Sequence, residues 1–161
     1  MKLAFIIDPI EKLDPGHDTS IAIMEAAQVL GHQVWIAAAN EMGVVDGQAH
    51  AYLTAVTLKP VTLGDNRWLA ESDWFSLGER QWRSLGDMDV VFMRIDPPVT
   101  VPYLYATYIL DYVGSQTQVV NSPAGIRAAN EKMYALQFTE AIPPTIVSQD
   151  KAVIQAAVER W

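Results

Sequence analysis

The sequence predicts an α/β fold built on a doubly wound, mostly parallel sheet with an inserted β-hairpin. Three observations carry this expectation. Leu3 to Ile7 is an unbroken apolar run of strand length, the pattern of a central parallel strand buried on both faces. Ile21, Met24, Ala27 and Leu30 follow at helical spacing and lead into a second apolar run, Val34 to Ala38, so the chain opens with a strand–helix–strand unit. Val44-Val45, Asp46-Gly47 and the alternation from Ala49 through Val56 then read as a hairpin closed by an Asp-Gly turn.

Each remaining element has its own local reason. Asp8-Pro9 ends the first strand, and Asp18, Thr19 or Ser20 can cap the helix that Gly31 stops. Asn66 to Gly86 holds three of the five tryptophans among charges and reads as a loop with short helical turns. Asp89 to Met93 is the next parallel strand, Val101 to Tyr112 a helix and Gln118 to Val120 a further strand. Ser122-Pro123 opens a short helix with proline at its first position. Asn130 to Thr139 reads as a helix, Thr145 to Val147 as a strand and Ser148 to Trp161 as a terminal helix. The domain boundary is expected near Asn121 to Pro123, giving 1–122 and 123–161.

Half of the 161 residues are apolar and 19% are charged, the balance of a folded chain with a real core. The net charge of −8 and the lack of a basic run argue against a nucleic-acid partner. No apolar stretch approaches the ~20 residues of a membrane span, so no membrane partner and a cytoplasmic location are expected. Without cysteine there is no disulfide or thiolate metal site, and His17, His32 and His50 show no ligand spacing. The chain also lacks a G-x-G-x-x-G after its first strand, a Walker A run and a G-x-S-x-G elbow.

The richest stretch is Met93-Arg94-Ile95-Asp96-Pro97-Pro98, directly after the strand Asp89-Val90-Val91-Phe92. Charges at the carboxyl end of a buried strand are costly unless they bind something or pair. That end is also where open α/β sheets bind ligands. Arg94 can grip a carboxylate through two parallel hydrogen bonds while Asp96 accepts from an ammonium or fixes the loop; the alternative is an ion pair between the two across the turn. Ser20, at a helix start, can serve an anion or the cap. Asn121 can face the cleft of Arg94 or simply form a turn. Lys132, in Asn130-Glu131-Lys132, is a phosphate contact or a solvated lysine. Tyr105, Tyr108 and Tyr112 recur at helical spacing, a stripe suited to core packing or to a sister subunit.

The runs MRIDPP…YATYIL and VVNSPAGIRAANEKMYA, with Asp8-Pro9-Ile10 near the start, resemble the N-terminal part of the prokaryotic glutathione synthetase family, which are ATP-grasp ligases. The resemblance covers nearly the whole chain and is loosest from Arg67 to Arg80, where Trp74-Phe75-Ser76 is kept. It implies a pre-ATP-grasp domain followed by an incomplete ATP-grasp subdomain, and hence part of a larger, homo-oligomeric enzyme that joins glycine to γ-glutamylcysteine through an acyl phosphate. The implied cofactors are ATP and Mg²⁺, with the metal ligands, the second nucleotide lysine and the glycine-rich loop beyond this sequence, so that the chain is not expected to turn over alone. Arg94, Asp96, Ser20 and Asn121 would then bind the dipeptide, and Lys132 would contact ATP. Two other classes stay open: an ATP-grasp ligase for another peptide or amino acid, and a non-catalytic binding module.

Overall fold

The computed structural model describes residues 1–65 and 68–161, in two compact units, Met1–Arg127 and Ala128–Trp161. In chain order the first unit holds β1 (Lys2–Ile6), α1 (Thr19–Val29), β2 (Gln33–Ala37), β3 (Met42–Val45), β4 (Gln48–Leu58), β5 (Thr62–Leu63), β6 (Trp68–Leu69), β7 (Phe75–Ser84), β8 (Val90–Met93), α2 (Val101–Leu110) and β9 (Gln118–Val120). The short helix α3 (Pro123–Ala128) closes it. The Pro97–Pro98 and Val120–Asn121 peptide bonds are cis.

The main sheet runs β3-β4-β2-β1-β8-β9, with β7 also on β4. Strands β2, β1, β8 and β9 are mutually parallel, as expected. Strand β1 lies at the centre because every residue from Leu3 to Ile6 is buried, which is why its sequence carries no polar alternation. Its odd residues, Leu3 and Phe5, pack with Ile21, Met24 and Ala27 of α1; its even residues, Ala4 and Ile6, pack with Ala106 and Leu110 of α2. One helix on each face makes the sheet doubly wound. Phe5 stacks on Phe92 at 4.6 Å. Burying a side chain of this size contributes roughly 1.5–3 kcal/mol.

Local signals set the ends of these elements. Asp18 is the cap of α1: its carboxylate accepts from the Ser20 and Ile21 N–H groups. Gly31 follows α1 with φ 79°, a conformation that favours glycine. The hairpin forms where expected, β3 and β4 joined through Asp46 (φ 50°) and Gly47 (φ 73°), the paired positive values of an Asp-Gly hairpin turn.

Three expectations are corrected. The stretch Phe75–Ser84 is a ten-residue strand, not a loop with helical turns. It pairs antiparallel with β4 and extends the inserted hairpin to three strands. As an edge strand with a largely exposed side-chain set it has little apolar alternation to read. Asn66 and Arg67, in the same expected loop, lie outside the described residues. In the second unit the helix expected over 130–139 is shorter, Lys132–Gln137, and of 3₁₀ type; Tyr134, Phe138 and Ala141 each donate to the carbonyl three residues back. Thr145 to Val147 is irregular: the Thr145 hydroxyl donates to the Pro143 carbonyl at 2.7 Å, closing a local turn in place of a strand. The terminal helix, α4, spans Lys151–Arg160 with Asp150 as its cap.

Helix α1 is fastened to β4 by one side chain. Gln28 Nε2 donates to the Val56 carbonyl at 2.6 Å, and the Leu58 N–H donates to Gln28 Oε1 at 2.9 Å, beside the register shift between Thr54 and Val56. Gln28→Ala leaves two partly buried backbone groups unpaired. It is expected to cost about 1–3 kcal/mol in urea unfolding, whereas a loss under ~0.5 kcal/mol, as for an ordinary surface site, would show that water replaces the amide.

Candidate functional site

The parallel half of the sheet reverses its order between β1 and β8, because the chain leaves β1 toward β2 on one side and returns through β8 on the other. The carboxyl ends of these two strands therefore frame the crevice in which such sheets bind ligands. The Arg94 N–H donates to the Ile6 carbonyl at 2.8 Å, prolonging the β1–β8 ladder by one residue. Asp8 and Arg94 thus emerge side by side from adjacent strands. The Asp96 N–H then donates to the Asp8 carboxylate at 3.1 Å, which fixes the Ile95–Pro98 loop over the end of β1.

Arg94 is half-buried and turns to the first turn of α1. Its Nε donates to Ser20 Oγ at 3.2 Å and its Nη2 to Thr19 Oγ1 at 2.6 Å. Among the described residues no carboxylate lies within ion-pair distance of Arg94, so the alternative of an Arg94–Asp96 ion pair is not the arrangement found. Two neutral hydroxyls orient the guanidinium without cancelling its charge. A cation held in this way retains donors for an anion, and two parallel N–H groups match a carboxylate. Ser20 is buried, and Asp18 rather than Ser20 caps the helix, so the serine hydroxyl is left to serve Arg94.

Beyond Asp8 the loop encloses a hollow of about 440 Å³. Asp8, Asp96, Thr100 and Tyr103 supply its polar lining, and Ile95, Pro97, Pro98 and Pro102 supply apolar walls. Burial pushes the Tyr103 phenol above its ordinary value of 10.0. A second hollow of about 380 Å³ flanks the other side of Asp8 and ends at the Arg80–Glu41 ion pair, 2.8 Å long. The rim therefore offers carboxylates at Asp8 and Asp96 and a guanidinium at Arg94, complementary to a ligand that carries both an ammonium and a carboxylate.

The expected residues distribute unevenly over this rim. Arg94 and Ser20 are brought into contact, and Asp96 is tied to the same loop. Asn121 is exposed at the end of β9, one strand beyond β8. Lys132 is exposed at the start of the 3₁₀ turn in the second unit, where Glu131 accepts from its backbone N–H. Sequence reasoning missed Asp8, Thr19 and Tyr103 as site residues. Asp8 carried the same signal as Arg94, a charge at the end of a buried strand, but was read only as a strand stop. Thr19 was read only as a possible cap.

Residues 1–127 match the family described as prokaryotic glutathione synthetase, N-terminal domain. The chain belongs to this family. The matched range coincides with the first compact unit. Over 160 residues it is 63% identical to the glutathione synthetase of Nostoc sp. and 56% identical to that of Synechocystis sp., covering 99% of this chain in both cases and 49% and 50% of those proteins. The glutathione synthetase of Escherichia coli O157:H7 is 31% identical over 161 residues, with 48% of that protein covered. The chain thus spans about half the length of the curated relatives it matches. Among the described residues no helix is long and apolar enough to cross a membrane.

The raised Tyr103 value gives a directional test. The folded state holds the phenolic proton more tightly than the unfolded chain, so this group's stabilisation is complete below pH 10 and is lost as pH rises through the higher folded value. Ultraviolet difference titration is expected to show a late-ionising phenol that Tyr103→Phe removes. A variant that loses phenol absorbance only at ordinary tyrosine pH would contradict the placement of Tyr103 in the hollow.

Proposed function

We propose that this chain is the substrate-side portion of a glutathione synthetase, an ATP-dependent ligase joining glycine to γ-glutamylcysteine. The observation that carries this reading is the 63% identity over 160 residues to a protein of that name. The rim adds chemical sense, since γ-glutamylcysteine bears both an ammonium and carboxylates. In the proposed reaction the dipeptide's cysteinyl carboxylate is phosphorylated, the glycine amine forms the new C–N bond at the acyl carbon, and phosphate leaves.

Within this reading Arg94 binds a dipeptide carboxylate, with Thr19 and Ser20 holding the guanidinium in place. Asp96 and Asp8 accept from the ammonium. Asn121, at the neighbouring strand end, completes the dipeptide side. Residues from 123 onward are read as the start of an ATP-grasp subdomain. There Lys132, an exposed point charge, fits a phosphate contact of ATP, while these residues offer no glycine-rich cradle for the rest of a nucleotide. When bound, ATP would supply the phosphoryl group. Mg²⁺ belongs to the proposed activity but is assigned no residue here: among the described residues no group of three or more acidic or histidine side chains is placed to hold a metal. The whole enzyme is read as a homo-oligomer working in the cytoplasm.

The reading is tested with the native gene product. ADP release is expected only when γ-glutamylcysteine and glycine are both present with ATP and Mg²⁺, with glutathione as the product. Release with a different acceptor, and none with glycine, would assign another ligase of the same class. Arg94→Ala is expected to weaken dipeptide binding by about tenfold to a hundredfold, the range of a charged hydrogen bond, with an unchanged circular dichroism spectrum. Unaltered affinity in the variant would remove Arg94 from the site.

A further inference from the structure

A hollow of about 640 Å³ lies beside α1, walled by that helix, the Pro15–Asp18 loop and residues Val61 and Trp68 at the β5–β6 ribbon. Small-molecule sites have volumes of roughly 300–1,000 Å³. Apart from Thr19, the hollow shares no residue with the Asp8–Arg94 rim. Its floor is one stripe of α1. Asp18, Ala22, Glu25 and Val29 stand three or four residues apart along it, with Ala26 beside them. Ala22 and Ala26 end at Cβ, which leaves the space that a longer side chain would fill. Val29, Leu30 and Trp68 supply apolar walls, yet they are 77%, 73% and 54% exposed. Gly16 closes one end: a Cβ there would stand 3.3 Å from the Trp68 carbonyl oxygen, so loop and ribbon are in contact.

The charge of the hollow is one-sided. Asp18 and Glu25 line it, and among the described residues no lysine or arginine does. Each carboxylate is held in place by the backbone through one oxygen. Asp18 Oδ1 accepts from the Ser20 and Ile21 N–H groups, and Glu25 Oε2 accepts from the Val61 N–H at 3.2 Å. Among the described residues the second oxygen of each takes no donor, and neither carboxylate forms an ion pair. His17, also in the lining, is turned to Asp14 at 3.0 Å. A carboxylate fixed by one oxygen is a positioned acceptor at the other. An ammonium gains a charged hydrogen bond from such an oxygen and a further attraction from a nearby indole ring.

We propose that this hollow is a binding site for a small organic ammonium with an apolar or aromatic body. The head meets Glu25 and the Trp68 indole, and the body covers Ala22, Ala26, Val29 and Leu30. Anions are refused, because two fixed carboxylates repel them and no basic side chain of the lining compensates. A neutral molecule of the same shape gains the walls but not the charged hydrogen bond. The net charge of −8 draws cations to the surface as a whole, and the hollow adds the shape that selects among them. The proposal goes beyond the ligase reading and does not depend on it. None of γ-glutamylcysteine, glycine and ATP is a net cation, so the occupant is not one of that reaction's substrates.

Amide and indole NMR of the labelled chain at neutral pH tests it with three probes of one shape: 2-phenylethylammonium, neutral 2-phenylethanol and anionic 3-phenylpropionate. The ammonium is expected to give saturable shifts at Ala22, Ala26 and the Trp68 indole N–H. The Val61 N–H is expected to shift with them, because it shares the Glu25 carboxylate with the ligand. The alcohol and the propionate are expected to bind at least about tenfold more weakly, the lower range of a charged hydrogen bond. Glu25→Gln keeps a carbonyl oxygen for the Val61 N–H and removes the charge, and it is expected to weaken the ammonium by about tenfold. Trp68→Ala, a second variant independent of that bond, is expected to weaken it by about threefold or more. Circular dichroism on both variants separates lost binding from lost folding. Absence of saturable shifts around the hollow overturns the proposal. So does equal binding of the alcohol, which would make the hollow a plain apolar cleft. Shifts confined to Asp8 and Asp96, or an affinity indifferent to both substitutions, overturn it as well.

Discussion

The pairing of β1 with β8 is the constraint on which the rest of the first unit depends. Strand β1 is buried on both faces and both edges, so its polar groups are satisfied only by parallel neighbours on each side. Filling both edges forces the chain to reverse direction in the sheet, and the reversal opens a crevice at the carboxyl ends. The two helices follow from the same burial, because alternate residues of β1 require apolar cover on opposite faces. What emerges from the strand ends is then fixed in space: Asp8 from β1, Arg94 from β8, and the proline-stiffened loop that carries Asp96.

The charge arrangement at that rim has a physical logic. An arginine at a strand end would normally be neutralised by the nearest carboxylate, and two carboxylates, Asp8 and Asp96, stand on the same rim. Instead Asp8 is engaged by the Asp96 backbone N–H, and Arg94 is engaged by two hydroxyls of α1. Positive and negative groups are thereby kept apart on one rigid frame. The carboxylates therefore remain open to an ammonium and the guanidinium to a carboxylate.

Much of the frame was legible in the sequence. The uninterrupted run Leu3–Ile7, the spacing of Ile21, Met24 and Ala27, and the Asp46-Gly47 turn each encode a local structure whose physics needs no distant partner. Strand β7 was not legible, because an exposed edge strand owes its existence to hydrogen bonds with β4 rather than to its own apolar pattern. The site was legible in part. Arg94 stood out as a costly charge, but its hydroxyl partners lie 74 and 75 residues earlier, and only the fold joins them. The 3₁₀ type of the helix at Lys132 was not legible, because composition alone does not distinguish bonds to the third residue from bonds to the fourth.

The central claim is that the β1–β8 rim is where the dipeptide binds. Backbone amide NMR of the labelled chain, titrated with γ-glutamylcysteine, tests it most directly. Saturable shifts at Asp8, Thr19, Ser20 and Arg94 to Asp96, with β3 and β4 unperturbed, are the expected result. Shifts confined to other surfaces, with the rim silent at saturation, would contradict it.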